Sequence, residues 1–221
     1  RSLCWLAVRY SAHYSSQPRL NRRHLHPPQA APAVIGWYNG DWQSGLEGRP
    51  NYFFGKGQFY RVYDDFVVPA GGWTVVGVFS NNRMVGAIVT KASWEIRRDM
   101  KPGKGGKKVA SGVSNATQVR IPGTGPFPRD ASVGYRIQVD GLHVLLTPGR
   151  YWLSVAPVVA APVGEGRWAI NGTLGKNAVG DPPGNNGAGL AALASKGRVR
   201  MKYADAAGLP SAAQYGTARD F

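Results

Sequence analysis

Two apolar-rich runs that flank a glycine turn constrain the fold of this chain more than any other feature. The runs extend from Phe59 to Val68 and from Trp73 to Phe79, and Pro69-Ala70-Gly71-Gly72 lies between them. Such runs, bounded by Pro and Gly, predict two β-strands joined by a tight connection. The 221 residues include 30 Gly and 16 Pro, and long helical periodicity is not visible. We therefore expect an all-β protein with antiparallel strands.

Two further segments have the apolar patterns of strands. Residues 85–98 alternate at their end, which predicts a half-buried strand with Trp94 facing inward and Glu95 and Arg97 facing outward. Residues 150–159 are apolar on both faces, which predicts a strand at the centre of a sheet.

A turn signal near the middle of the chain predicts a hairpin. Asp140-Gly141 separates an alternating run over residues 133–139 from a second run over residues 142–146. Together with the other strands, this pattern predicts one jelly-roll-like or immunoglobulin-like β-sandwich over residues 35–221.

Residues 1–34 differ in composition from the rest of the chain. This segment contains five Arg, no Lys and no acidic residue, and it is rich in Ser, His and Pro. We expect an extended basic arm that becomes ordered on a partner through Arg19, Arg22 and Arg23. A disordered leader is the simpler interpretation, and the composition is also that of an organelle transit peptide or its remnant.

The net charge of the chain indicates the kind of partner it meets. A formal charge of +15 at pH 7 favours acidic protein faces, nucleic acid, acidic glycans or anionic lipid surfaces. The candidate docking residues are Lys104, Lys107 and Lys108 of a Gly-rich loop and Arg198, Arg200 and Lys202 of the last predicted strand. The simpler interpretations are a solvated loop tip and charges that protect an exposed edge strand.

Aromatic residues near the start of the predicted sandwich are candidates for glycan binding. Trp37, Tyr38 and Trp42 lie beside Asn39 and Asp41 among glycines. Rings can stack on a sugar while the polar side chains bind its hydroxyl groups, so this set predicts a carbohydrate platform. Alternatively, the rings close one end of the sandwich as core residues.

Four oxygen-bearing residues are candidates for binding a cation such as calcium. They are Asp64 and Asp65 in one predicted strand and Asn81 and Asn82 in the next. Because neighbouring strand residues point to opposite faces, the two carboxylates cannot act as a catalytic pair without a bulge. The simpler interpretation is a carboxylate that is hydrogen-bonded at a turn.

The sequence contains no recognisable catalytic constellation, so we expect a protein that is not an enzyme and has no cofactor apart from that calcium ion. There is no Gly-x-Ser-x-Gly motif, and the single cysteine, Cys4, lies in the predicted arm. His143 alternates with core residues of a predicted strand and is a weak candidate for a general base. No run approaches the roughly 18 apolar residues that span a bilayer.

Several segments together resemble an uncharacterised family of bacterial secreted β-sandwich proteins. The segments are WYNGDWQSG, VYDDFVVPAGGWTVVGVFSNN, ASWEIR, GLHVLLTPGRYWLSVAPV and NAVGDPPGNN, and the resemblance covers about residues 36–220. Members carry a DDF-x-V-P-x-G-G-W segment and a late P-G-x-Y-W-L strand. The resemblance implies a non-catalytic protein at the cell surface, in the periplasm or outside the cell. The basic arm and the lysine-rich loop depart from this pattern.

Three functions remain open from the sequence. The first hypothesis is a structural or interaction protein, an accessory subunit docked on a larger assembly through its basic arm and faces. The second is a secreted or cell-surface carbohydrate-binding or adhesion module. The third, favoured less because the arginines are scattered, is a protein that coats nucleic acid or another polyanion. We expect an extracytoplasmic location, or an organelle if the arm is a transit-peptide remnant.

Overall fold

The computed structural model describes residues 5–11, 33–42, 49–55, 58–86, 88–101, 104–124, 132–160, 168–170, 173–182, 190–195, 198–203 and 214–216. Over these ranges the chain forms strands and no helix. The strands are β1 (Trp5–Ser11), β2 (Val34–Tyr38), β3 (Asp41–Trp42), β4 (Arg49–Pro50), β5 (Tyr52–Gly55), β6 (Gln58–Val68), β7 (Trp73–Met84), β8 (Lys91–Arg98), β9 (Lys107–Asn115), β10 (Thr117–Arg120), β11 (Val133–Leu146), β12 (Gly149–Pro157), β13 (Trp168–Ile170), β14 (Thr173–Lys176), β15 (Leu190–Ser195), β16 (Arg198–Tyr203) and β17 (Gln214–Gly216).

The described strands form two large antiparallel sheets and one two-stranded sheet of β3 and β14, and the two large sheets confirm the predicted all-β sandwich. The seven-stranded sheet has the order β10-β11-β7-β1-β2, and β13 pairs with both β7 and β4. The eight-stranded sheet has the order β17-β16-β15-β6-β12-β8-β9, and β5 also pairs with β6. Strand β12 lies between β6 and β8, which confirms its predicted central position. No helix in the described ranges has the length and apolarity needed to cross a membrane.

The glycine turn between the two organising strands carries the chain from one sheet to the other. Strand β6 belongs to the eight-stranded sheet and β7 to the seven-stranded sheet. The amide of Gly72 donates to the carbonyl oxygen of Pro69 across 3.1 Å. Gly72 has a φ of 70°, and a Cβ there would lie 2.6 Å from the carbonyl oxygen of Leu146. Both facts require glycine, because a side chain would be strained and would collide with the adjacent strand.

Aromatic rings from both sheets meet in the core. Phe66 of β6 packs against Trp37 with ring centroids 5.6 Å apart, against Trp73 at 6.0 Å and against Tyr151 at 5.8 Å. All four side chains are buried. Burying an aliphatic or aromatic side chain contributes about 1.5–3 kcal/mol, so this group is a main source of the sandwich's stability.

One part of the predicted arm is instead a strand of the sandwich. Residues Trp5–Ser11 form β1, which pairs with β7 on one side and β2 on the other. Ala7 and Val8 are fully buried there. The arm prediction is wrong for these residues because their short apolar run pairs into the sheet. Residues 12–32 lie outside the described part of the chain.

The prediction of a hairpin at Asp140-Gly141 is also wrong. Strand β11 runs without a turn from Val133 to Leu146, and it pairs with β7 over residues 133–140 and again over residues 144–146. The register with β7 shifts between Asp140 and Val144, and Gly141 has a φ of 73°. Asp-Gly therefore lies at a bulge in one long strand, since a left-handed glycine occurs in one type of bulge as well as in hairpin turns.

Candidate functional site

The outer face of the eight-stranded sheet holds a buried group of charged side chains. In β6, Val62 and Phe66 point into the core, so Arg61 and Tyr63 point to the opposite face. In β8, the same alternation places Glu95 and Arg97 on that outer face. We call Arg61, Tyr63, Glu95 and Arg97 the Glu95 cluster. The sequence predicted Glu95 and Arg97 to face outward, and they lie on the outer face, but the outer face is covered here and they are only 7% and 1% exposed.

Glu95 is the centre of this cluster. Its Oε2 accepts a hydrogen bond from Arg97 Nε at 2.7 Å and another from the Tyr63 hydroxyl at 2.9 Å. Its Oε1 lies 3.6 Å from Arg61 Nη2 and 3.7 Å from Lys108 Nζ. One carboxylate thus receives two hydrogen bonds and faces three positive charges.

The surroundings of the cluster shift the pKa values of two of its groups, Glu95 and Tyr63. Burial raises the pKa of Glu95, but the opposing attraction of Arg61 and Arg97, with a smaller contribution from Lys108, leaves this pKa below its usual value. Burial, with the nearby charge of Glu95, raises the pKa of the Tyr63 hydroxyl well above its usual value. At neutral pH the cluster therefore holds a carboxylate and a neutral phenol that donates to it.

A half-open cavity of about 470 Å³ lies against the cluster, between β6 and β9 on the outer face. Its lining consists of Phe53, Phe59, Arg61, Ser93, Trp94, Glu95, Lys108, Ser111, Gly112 and Val113. Phe53 and Phe59 pair across strands with ring centroids 6.4 Å apart and an interplanar angle of 19°. The cavity thus has an aromatic wall on one side and charged groups beside it.

Next to the cavity, β8 and β9 form an antiparallel hairpin whose end is strongly basic. The exposed cations of this end, which we call the basic tip, are Arg98, Lys101, Lys104 and Lys107. Asp99 is the only acidic residue between Glu95 and Asp130. The loop is closed by reciprocal backbone hydrogen bonds between Lys101 and Lys104, at 3.1 and 2.9 Å. Two cations from the predicted docking group, Lys104 and Lys107, therefore share one exposed end.

Buried contacts hold the basic tip against the sheet. Arg97 Nη1 donates to the carbonyl oxygen of Gly105 at 3.0 Å, across the base of the loop. Gly106 has a φ of 63°, and a Cβ there would lie 2.2 Å from the carbonyl oxygen of Arg98. The loop thus lies so close to the end of β8 that only glycine fits at this position.

The other predicted docking residues are placed differently. Lys108 lies beside Glu95, with its side chain 40% exposed. Arg198, Arg200 and Lys202 occupy alternate positions of β16. This strand pairs with β15 on one side and β17 on the other, so it is not the exposed edge strand of the simpler interpretation. The side chains of these three residues are outside the described part of the chain. Arg19, Arg22 and Arg23 also lie outside the described residues.

The two carboxylates of the predicted cation site face opposite sides of β6. Asp64 accepts hydrogen bonds from Asn39 Nδ2 and from the backbone amide of Asp65. Asp65 Oδ2 lies 3.2 Å from Arg150 Nη1 on the outer face. Burial, followed by the neighbouring charge of Asp65, raises the pKa of Asp64 well above its usual value.

The two asparagines of that prediction also have separate partners. Asn81 Nδ2 lies 3.4 Å from the Tyr38 hydroxyl, and Asn82 Oδ1 accepts from Asn51 Nδ2 at 2.9 Å. Asn82 Nδ2 donates to Ser80 Oγ at 2.7 Å. Over the described ranges, no three His, Cys, Asp or Glu side chains form a group that could hold a metal ion. The structure therefore does not gather the four predicted ligands around one point.

The predicted carbohydrate platform is buried. Trp37 is fully buried in the core, and its Nε1 donates to the carbonyl oxygen of Pro182 at 3.2 Å. Asn39 is fully buried, and the Tyr38 ring packs against Phe79 at 5.8 Å. The platform prediction is wrong for these three residues, because buried rings cannot stack on a sugar.

Of the two remaining platform residues, the structure describes the side chain of Asp41 alone. Asp41 Oδ1 accepts from the Tyr38 hydroxyl at 2.7 Å, and its Oδ2 accepts from Asn177 Nδ2 at 2.6 Å. The backbone of Trp42 lies in β3, and its side chain is outside the described part. The alternative interpretation, in which these residues close the sandwich, agrees with the observed burial.

Sequence reasoning did not identify the residues that line the cavity as a site. Phe53, Phe59, Arg61 and Ser93 come from three strands, and only strand pairing brings them together. The one usable signal was the row of Ser93, Glu95 and Arg97 on a single face of β8, which is unusually polar for a strand beside a central one.

Comparison of the chain with protein-family models, curated proteins and solved structures finds no match, so the family resemblance stays a prediction.

Proposed function

We propose that this protein is a non-enzymatic interaction protein, an accessory subunit that docks on an acidic surface of a larger assembly. The observation that carries the proposal is the basic tip, where four exposed cations face solvent beside a single exposed carboxylate, Asp99. Arg97 holds the loop to the sheet at Gly105, so these charges are presented from a fixed support. A fixed group of cations loses less conformational entropy on binding than a free loop does.

The overall charge supports an acidic partner. A net charge of +15 creates a long-range positive potential that accelerates association with acidic faces and weakens with salt. The predicted arm, with Arg19, Arg22 and Arg23, would add a second basic contact. An extracytoplasmic location is part of the proposal and rests on the family resemblance alone.

Native purification tests the proposal. The full-length protein is isolated from its source at low and high ionic strength, and size-exclusion fractions are analysed by mass spectrometry for co-eluting chains. We expect elution with a defined set of acidic protein chains at low salt and release at high salt. Elution at the chain's own 23.7 kDa at every salt concentration would contradict it. Release by nuclease instead of salt would indicate the nucleic-acid-coating function.

A further inference from the structure

The cavity beside the Glu95 cluster has an excess of positive charge. Among the residues that line it, Arg61 and Lys108 are cations and Glu95 is the one anion, so these three groups carry a net charge of +1. Arg61 is only 3% exposed, and burying an arginine is unfavourable unless its charge and its N–H groups find partners. Glu95 also accepts a hydrogen bond from Arg97, and its 3.6 Å contact with Arg61 offsets the charge of Arg61 only in part.

The hydrogen bonds of Arg61 show the same deficit. A guanidinium has five N–H donors. Nη2 donates to Ser93 Oγ, Nη1 lies at 3.5 Å from the Ser93 carbonyl oxygen, and the contact with Glu95 Oε1 is 3.6 Å long. The Nε atom is buried and has no hydrogen-bond partner. The buried cation at the cavity wall is thus only partly neutralised by the chain itself.

The remaining wall is apolar. The Arg61 guanidinium carbon lies 5.1 Å from the centre of the Phe53 ring and 5.4 Å from that of Phe59. Val113 of β9 also lines the cavity, and its side chain is 53% exposed. A ligand in this space would meet positive charge at one end and aromatic or aliphatic carbon at the other. The volume falls in the range of about 300–1,000 Å³ that is typical of small-molecule pockets.

We propose that this cavity binds a small organic carboxylate with an aromatic body. The carboxylate lies between Arg61 and Lys108, where it supplies the missing negative charge and accepts charge-assisted hydrogen bonds. The aromatic body lies against Phe53, Phe59 and Val113. A neutral sugar would leave the charge excess uncompensated, and a polyanion would not use the aromatic wall. This site is separate from the proposed docking function, which depends on the basic tip.

Two matched probes test the charge requirement. The folded full-length protein is titrated with 1-naphthoate and with 1-naphthalenemethanol, which has the same ring system without the charge. Isothermal titration calorimetry and saturation-transfer NMR measure binding. We expect naphthoate to bind at least tenfold more tightly than the alcohol. Equal affinity for the two probes, or binding of neither, would overturn the proposal.

Matched variants locate the binding. Lys108→Met removes a cation that lines the cavity, and Lys107→Met removes its exposed neighbour on the basic tip. We expect about a tenfold loss of naphthoate affinity in the first variant and an unchanged affinity in the second. Ser111→Trp, at an exposed lining position, fills the cavity and should abolish binding. Equal losses in the two lysine variants, or full affinity in Ser111→Trp, would contradict the site.

None of these variants replaces a residue of the buried Glu95 cluster, so the test does not require a substitution that could unfold the protein. Arg61→Met would remove a buried cation and could unfold the sheet, so it is not the deciding substitution. Lys108, Lys107 and Ser111 are all partly or fully exposed, and the thermal melting of each variant is compared with that of the wild type. A variant in which three cations of the basic tip are replaced should still bind naphthoate, because none of the tip residues lines the cavity. The failure of docking and the failure of ligand binding can therefore be told apart.

Discussion

Arg97 Nη1 donates to the carbonyl oxygen of Gly105 at 3.0 Å and thereby joins a buried strand residue to the loop that carries the basic tip. The same side chain donates from Nε to Glu95 Oε2 at 2.7 Å. The position of the exposed lysines is therefore tied to the buried Glu95 cluster. Stability of the cluster and presentation of the charges are two consequences of one set of contacts.

The first prediction concerns Glu95. Glu95→Gln keeps the shape of the side chain but removes the negative charge that Arg61 and Arg97 share, and we expect a loss of about 3–5 kcal/mol in the free energy of unfolding. Urea denaturation at pH 7 measures it. Asp99→Asn changes an exposed carboxylate and serves as the control, with an expected change within about 0.5 kcal/mol. A Glu95→Gln variant as stable as this control would show that the cluster is not stabilised by its carboxylate.

The pH dependence of that difference follows from the lowered pKa of Glu95. A carboxyl whose pKa is lower in the folded state stabilises the fold above its unfolded pKa and loses this contribution as the pH falls through the folded pKa. The stability gap between the wild type and Glu95→Gln should therefore shrink below the ordinary titration range of Glu. A gap that stays constant in acid would be inconsistent with the lowered pKa.

The second prediction concerns Asp64 and has the opposite sign. Its pKa is raised in the folded state, so its contribution to stability is present below the unfolded pKa and is lost as the pH rises through the folded pKa. Asp64→Asn removes this titration and should be more stable than the wild type at neutral pH. Between the two pKa values, the wild type should lose about 1.4 kcal/mol per pH unit relative to the variant. Parallel stability curves for the two proteins from pH 4 to pH 8 would contradict the raised pKa.

The third prediction separates a core role of Trp37 from a binding role. Trp37→Ala should lower the free energy of unfolding by about 3–5 kcal/mol, because it opens a cavity beside Phe66. Leu145→Ala is the control, since Leu145 is 72% exposed and its removal should change stability by about 0.5 kcal/mol or less. Thermal and urea melts measure both. If Trp37→Ala melted like the wild type, the assignment of Trp37 to the core would be wrong.

The fold was predictable wherever local alternation and the final sheet agree. The runs that predicted strands correspond to β6, β7, β8 and β12, and the inward face predicted for Trp94 of β8 is the core face of the structure. The Asp140-Gly141 signal misled because a left-handed glycine serves in some bulges as well as in hairpin turns, and only the partner strand decides between them. The arm prediction was wrong at β1 because it rested on the average composition of residues 1–34. A strand needs only a few residues, and the seven residues of β1 differ from that average.

The candidate site was far less predictable. The cavity takes Phe53 from β5, Arg61 from β6, Ser93 from β8 and Lys108 from β9. The pairs β5-β6 and β8-β9 are local, but the two pairs come together only because β6 and β8 both pair with the distant strand β12. Alternation correctly separated the two faces of β8 but could not show that the polar face is also covered. Trp37 misled for the same reason, since a sequence gives the side of a strand without showing whether that side is buried.

A pair of charge-matched variants gives the most direct test of the central claim that the basic tip docks the protein on an acidic surface. One variant is Lys101→Glu/Lys104→Glu/Lys107→Glu on the tip, and the other is Lys91→Glu/Arg120→Glu/Lys176→Glu at exposed positions elsewhere. Both change the net charge equally, and each is expressed in the native source and analysed by size-exclusion chromatography with mass spectrometry. We expect the tip variant to elute at 23.7 kDa while the control variant stays with the assembly. A tip variant that still co-elutes with the assembly as the wild type does would contradict the account.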